Sequence, residues 1–112
     1  MKKELGIIHD ATIKTLSINL RENPRFEVKM NIFFTYIGNY AKIELTCNHC
    51  SLFNYSNDNW SSDGIQTLIV DEKDGEYLLN FVMDAGDNLL IKCENYTMKY
   101  LDTGAIYYPK WE

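Results

Sequence analysis

No apolar run in this chain is longer than five residues, far short of the ~20 that a membrane-spanning helix requires. Proline appears twice and glycine six times, which excludes collagen-like and low-complexity chains. Histidine also appears only twice, at His9 and His49, so a histidine-dependent hydrolase has few ways to be built. There is no Gly-x-x-x-x-Gly-Lys and no Gly-x-Gly-x-x-Gly to cradle a phosphate. Basic residues are scattered and not gathered into a stripe, which disfavours direct nucleic-acid binding. Cysteine occurs three times, an odd number that suits reduced thiols better than a secreted disulfide framework. The opening MKKELGIIHDA carries two lysines but only a short apolar stretch, broken by His9 and Asp10. A signal peptide needs a longer apolar region and a small-residue cleavage site, so the expected location is the cytoplasm.

What is present is acid, and it is concentrated. Between Asn54 and Asp87 stand Asp58, Asp63, Asp71, Glu72, Asp74, Glu76, Asp84 and Asp87, against the single cation Lys73. That window carries −7, whereas residues 1–53 carry +2 and residues 88–112 are neutral, giving the formal −5. A field of one sign steers a partner of the opposite sign and repels nucleic acid. The chain's 112 residues suit one domain, 1–112, and 46% hydrophobic with 13% aromatic content supplies a core.

The dominant hydrophobic period is two, the signature of half-buried strands. Leu16, Ile18 and Leu20 alternate with Thr15, Ser17 and Asn19, and Glu22-Asn23-Pro24-Arg25 breaks the run. Phe26, Val28, Met30, Ile32 and Phe34 resume it, so 12–22 and 25–36 read as an antiparallel hairpin. Ala41, Ile43, Leu45 and Cys47 form one face of a third strand after a turn at Gly38-Asn39. Residues 54–64 are turn formers throughout and read as the longest loop. A fourth strand near 65–71 leads through Asp71-Glu72-Lys73-Asp74-Gly75, a hairpin turn with Gly75 supplying positive φ, into a fifth at Tyr77, Leu79, Phe81 and Met83. After a turn at 85–88, Leu89, Ile91 and Cys93 make a sixth strand. Tyr96, Met98 and Tyr100 suggest a seventh, continuous with the sixth through a bend. A short turn is read near Lys2–Ile8, and residues 102–112 as a tail docking through Tyr107, Tyr108 and Trp111. The expected fold is all-β, a single-domain antiparallel β-sandwich or half-open barrel of six or seven strands with little helix.

Several constellations invite chemistry. Cys47-Asn48-His49-Cys50 with Cys93 could supply a Cys3His zinc set, but Cys93 stands alone and His49 falls inside an extended segment. The bland alternative is that Cys47 and Cys93 are small core hydrophobes, and no metal or cofactor is expected. A redox Cys-x-x-Cys would want a helix N-terminus, and none follows. His9-Asp10 lacks a positioned nucleophile, and Asp10 better caps a turn through the N–H of Thr12 or Ile13. The carboxylates do not follow the calcium-loop pattern, and nothing selects a glycosidase pair among the sixteen. Tyr77 reads as core, whereas Tyr55 and Trp60, in a polar acidic loop, read as interface.

His9-Asp10-Ala11 followed by an alternating strand, a Pro turn and a second long strand, with later segments Ile43-Glu44-Leu45-Thr46-Cys47 and Leu90-Ile91-Lys92-Cys93-Glu94, resembles small bacterial all-β immunity proteins of toxin–immunity systems. These include the immunity proteins of contact-dependent growth inhibition. The likeness covers most of the chain as patterning, with His9-Asp10-Ala11 its one literal motif. It implies an antitoxin, not an enzyme, that binds and neutralises one cognate toxin domain, often a nuclease such as an RNase. The acidic window agrees, since a nuclease surface is commonly basic. The expected contact residues are Asp71, Glu72, Asp74 and Glu76 at one turn, with Tyr55, Asp58, Trp60 and Asp63 on the long loop. Nucleic acid and membrane are not expected as direct partners. The alternatives are a small Cys/His metal-binding protein and a ligand-binding β-module.

Overall fold

The alternating segments form strands with one buried face. In the computed structural model the described residues are 2–5, 11–20, 24–36, 39–55, 64–84 and 86–103. Among them are nine strands: β1 (Lys2–Leu5), β2 (Ala11–Asn19), β3 (Phe26–Tyr36), β4 (Asn39–Cys50), β5 (Leu52–Tyr55), β6 (Gly64–Lys73), β7 (Glu76–Met83), β8 (Asn88–Cys93) and β9 (Asn95–Thr103). Val28, Met30 and Ile32 of β3, Ile43, Leu45 and Cys47 of β4, Leu79, Phe81 and Met83 of β7, and Leu89, Ile91 and Cys93 of β8 are all buried. Each set keeps strict period two, as a pleated strand dictates.

Elsewhere the period slips, and a β-bulge accounts for each slip. In β2 the buried residues are Ala11 and Ile13, yet Leu16 also packs on the core. The β2–β3 register shifts between Ile13 and Thr15, so odd and even apolar residues reach the same face. β6 does the same between Ile65 and Thr67, which lets Ile65, Leu68 and Val70 all be buried. The β3–β4 register shifts between Phe26 and Val28. Opposite that shift, His49 has φ +53°, and Cys50 turns inward beside Cys47. One extra residue per bulge re-aims the rest of the strand.

All nine strands belong to one antiparallel sheet, in the order β5-β8-β7-β6-β2-β3-β4-β9, with β1 also on β6. Only Ser51 separates β4 from β5, and only Glu94 separates β8 from β9. Two long strands therefore run through the whole sheet and bend side by side, β5 pairing β8 and β4 pairing β9. On the other side, among the described residues, β2 meets β6 through Ala11↔Ile65 and Thr12↔Gly64. The sheet folds over along this line, and the buried residues of its two halves form one cluster. A sheet with one apolar face and no helix to cover it must cover itself.

The fold is all-β and antiparallel, as the period indicates, but it is one continuous sheet and not a sandwich of six or seven strands. The strand count rises because β1 occupies the segment read as a turn, pairing Lys2↔Asp71 through Leu5↔Leu68. It rises again because Leu52–Tyr55, read partly as loop, pairs with β8. The loop shrinks accordingly, since Asn54 and Tyr55 lie in β5 and Gly64 in β6. The Asp10 cap and the tail aromatics Tyr107, Tyr108 and Trp111 lie outside the described residues.

Candidate functional site

The β6–β7 hairpin carries the acidic turn. Asp74 and Gly75 both have positive φ, +56° and +79°, and Lys73 pairs with Glu76. This is the two-residue, left-handed turn whose twist matches that of the flanking strands, and Asp-Gly is a favoured sequence for it. The turn is therefore 74–75, while Asp71, Glu72 and Lys73 remain in β6. Consecutive strand residues point to opposite faces, so Asp71 and Glu72 diverge. Glu72 lies opposite Tyr77 and Asp71 opposite Leu78. Glu72 and Asp74 are exposed and Asp71 is half-buried.

Glu76 is not part of a free acidic edge. Its Oε2 lies 3.5 Å from Arg25 Nη1 and its Oε1 3.6 Å from Lys92 Nζ. Arg25 stands at the entry to β3 and Lys92 on β8, so one carboxylate straps the two halves of the sheet where they meet. Partly exposed pairs of this kind contribute about 0–1 kcal/mol each. Their main effect here is to neutralise Glu76.

Directly inside this strap lie the three cysteines, all free and all buried. Cys47 and Cys50 come from β4 on either side of the His49 bulge, and Cys93 from the end of β8. As a neutral thiol, Cys50 donates to the Cys47 carbonyl at 3.3 Å. The three thiols also hydrogen-bond one another. Hydrogen bonds to Cys50 and Cys93, together with burial, push Cys47 far above the usual thiol value. Cys93, which its bond to Cys47 alone would lower, is pushed up to about 12 by its bond to Cys50 and by burial. Cys50 is held well below the usual value, chiefly by bonds from Cys47 and Cys93, with the Val28 N–H adding to them. Tyr77 and Tyr96 close the inner side edge to face, ring centroids 5.1 Å apart at 88°, and burial raises the Tyr96 hydroxyl. No three His, Cys, Asp or Glu side chains among the described residues are disposed to hold a metal ion.

Two further carboxylates of the window lie at the opposite end of β7. Asp84 and Asp87 flank the β7–β8 turn, where the Met83 N–H donates to the Asp87 carbonyl and the Asp84 N–H to that of Gly64. Tyr55 donates its hydroxyl to the Asp87 carboxylate. Eight residues of β7 at ~3.3 Å each separate this end from the 74–75 turn by roughly 26 Å.

The acidic window is thus contiguous in sequence and divided in space. Asp71, Glu72, Asp74 and Glu76 share one hairpin, and Glu76 is ion-paired there. Tyr55 is placed with Asp87 toward the other end. Asp58, Trp60 and Asp63 lie outside the described residues. Arg25 and Lys92 escaped sequence reasoning because their partner is remote along the chain and no spacing announces it. Cys50 was not among the cysteines read as core, because the bulge that turns it inward leaves no mark on the hydrophobic period.

No family model matches the chain, and no curated protein matches it. Among solved structures it is similar to an uncharacterized protein from Neisseria gonorrhoeae, with a TM-score of 0.64 and 16% identity over 88% of this chain and 97% of that one. At that identity the likeness is one of fold.

Proposed function

We propose that this chain is an immunity protein of the bacterial cytoplasm, which binds a cognate basic toxin domain stoichiometrically and neutralises it without catalysis. The observation that carries the reading is the β6–β7 hairpin, a short rigid turn that holds Glu72 and Asp74 in solvent. A preorganised acidic tip costs little entropy on docking and suits a nuclease surface built to hold phosphate. Asp71 adds charge on the face of β6 opposite to Glu72, and the ion-paired Glu76 anchors the hairpin at its base. The division of the acid favours the hairpin, and not the whole window, as the centre of the contact. The toxin domain, of nuclease type, is then the direct partner, with no contact to nucleic acid or membrane.

A two-plasmid rescue with recovery of the partner tests this. Tagged chain expressed in its source cells should co-purify with a basic polypeptide that is lethal alone and harmless when co-expressed with this chain. Recovery of no such polypeptide would sink the proposal. With the partner in hand, Asp74→Lys should slow association. Two charge units at ~10 Å in water amount to about 0.8 kcal/mol, roughly fourfold in rate before screening. Equal rates for Asp74→Lys and the parent at low salt would remove the hairpin from the contact.

A further inference from the structure

The thiol cluster is a group of nucleophilic side chains among the described residues that the binding role leaves unused, and it lies where the sheet folds over. The Ser51 N–H donates to the Lys92 carbonyl at 2.8 Å, and the Glu94 N–H donates to that of Asn48 at 3.2 Å. Cys50 and Cys93 sit between these two bonds on neighbouring strands, and both point inward. Cross-strand neighbours have Cα atoms about 4.5–5.5 Å apart, inside the roughly 4.4–6.8 Å window that a disulfide spans. Cys47 is less well placed. Its cross-strand partner is Tyr96 and not Cys93.

We propose that Cys50 and Cys93 form a reversible disulfide across the fold line when the protein meets a hydroperoxide, making the protein redox-responsive. The Cys50 thiolate attacks the outer peroxide oxygen and the O–O bond breaks. The alkoxide leaves, takes up a proton and departs as the alcohol, and Cys50 becomes a sulfenic acid. The Cys93 sulfur then attacks the Cys50 sulfur. The S–S bond forms, the S–O bond breaks, and the hydroxide leaves as water with the Cys93 proton. Two thiols and one hydroperoxide become a disulfide, an alcohol and a water, each sulfur giving up one electron to the peroxide oxygens.

The ionisation order within the cluster fits these roles. The Cys50 thiol, which is lowered, is the attacking sulfur, and the Cys93 thiol, which is raised, keeps its proton until the second step. His49, held at positive φ between Cys47 and Cys50, is a backbone position of the kind that stores strain at functional sites. All three sulfurs are buried, so the reaction waits on a local opening of the fold that lets the oxidant reach Cys50.

The test uses the full reduced chain and tert-butyl hydroperoxide at neutral pH, followed by unfolding, alkylation, intact mass and peptide mapping. The expected product has lost two hydrogens and takes up one alkyl group where the untreated chain takes up three. Its Cys50 and Cys93 peptides are linked, and dithiothreitol restores all three thiols. Cys47→Ala should form the same link, and Cys50→Ala should form none. Three alkylated cysteines after an exposure that fully oxidises a small free thiol would overturn the proposal, as would a link to Cys47. The wild-type map decides the matter even where a variant fails to fold.

Discussion

Gly75→Ala isolates the backbone geometry of the hairpin from its charge. A Cβ built on Gly75 meets no atom within 4 Å, so the substitution adds no steric overlap, and its cost comes from φ +79° alone. Placing an L-residue in the left-handed region costs about 1–2 kcal/mol. Stiffening of the unfolded chain returns about 0.4–1 kcal/mol. At the midpoints of these ranges the net destabilisation is about 0.8 kcal/mol, which for a domain of this size lowers Tm by about 3–6 °C. Urea titration followed by far-UV circular dichroism should show a lower midpoint with an unchanged slope. Asp74→Asn is the companion variant. Asparagine tolerates φ +56° as aspartate does, so stability should hold within about 0.5 kcal/mol while one charge leaves the tip. A Gly75→Ala protein as stable as its parent would refute the left-handed turn, and with it the argument that the tip is preorganised.

Gly64 presents the opposite case, since its Cβ would lie 2.2 Å from Asp84 Oδ2 and 3.0 Å from Asp84 Cγ. Gly64→Ala should cost about 0.5–1.5 kcal/mol by forcing Asp84 off its rotamer, and a double-mutant cycle with Asp84→Ala should recover most of that. Tyr55→Phe should destabilise by about 1–3 kcal/mol in chemical denaturation, because the Asp87 carboxylate loses a donor at a site where its Oδ1 has no hydrogen-bond partner. Stability should also fall in alkali. Cys47 and Cys93 hold their protons above the ordinary thiol value in the fold, so their contribution is complete below pH ~8.5 and is lost as pH rises toward the folded values. Each buried thiol steepens the fall by up to about 1.4 kcal/mol per pH unit. Denaturation at pH 8 and pH 10.5 should show Cys93→Ala with a shallower fall than the parent, and parallel falls would refute the assignment.

Period two was enough to place the long strands, because Val28, Met30 and Ile32, or Leu79, Phe81 and Met83, obey it without interruption. It failed where the strand itself changes phase. Ala11 and Ile13 point inward with Leu16 only through a bulge, and no residue type at Lys14 marks that bulge in the sequence. The same blindness hid Cys50, whose inward aim depends on the backbone angle at His49. β1 was missed because Lys2, Lys3 and Glu4 alternate with nothing apolar. Its pairing is made by the β6 edge it meets and not by a pattern of its own. The acidic window shows the complementary error. Charge summed along the chain predicted one field, yet eight residues of β7 carry Asp84 and Asp87 to the far end, and Arg25 and Lys92 offset Glu76.

The two strands that bend at Ser51 and Glu94 have a consequence for how the molecule can come apart. β4 and β8 each continue into a strand of the other half, so neither half owns a complete set of strands, and a cut anywhere along either lane deprives both halves of pairing. Among the described residues the opposite side is held by two residue pairs. The molecule is a hinge and clasp, with a broad, continuous hinge and a narrow clasp at Ala11–Thr12. Strain applied between the halves should release the clasp first and leave the hinge intact. A small population opened in that way would expose apolar core while keeping most of the ladder hydrogen bonds, and native-state hydrogen exchange would find its fastest protected amides at Ala11, Thr12 and Ile65.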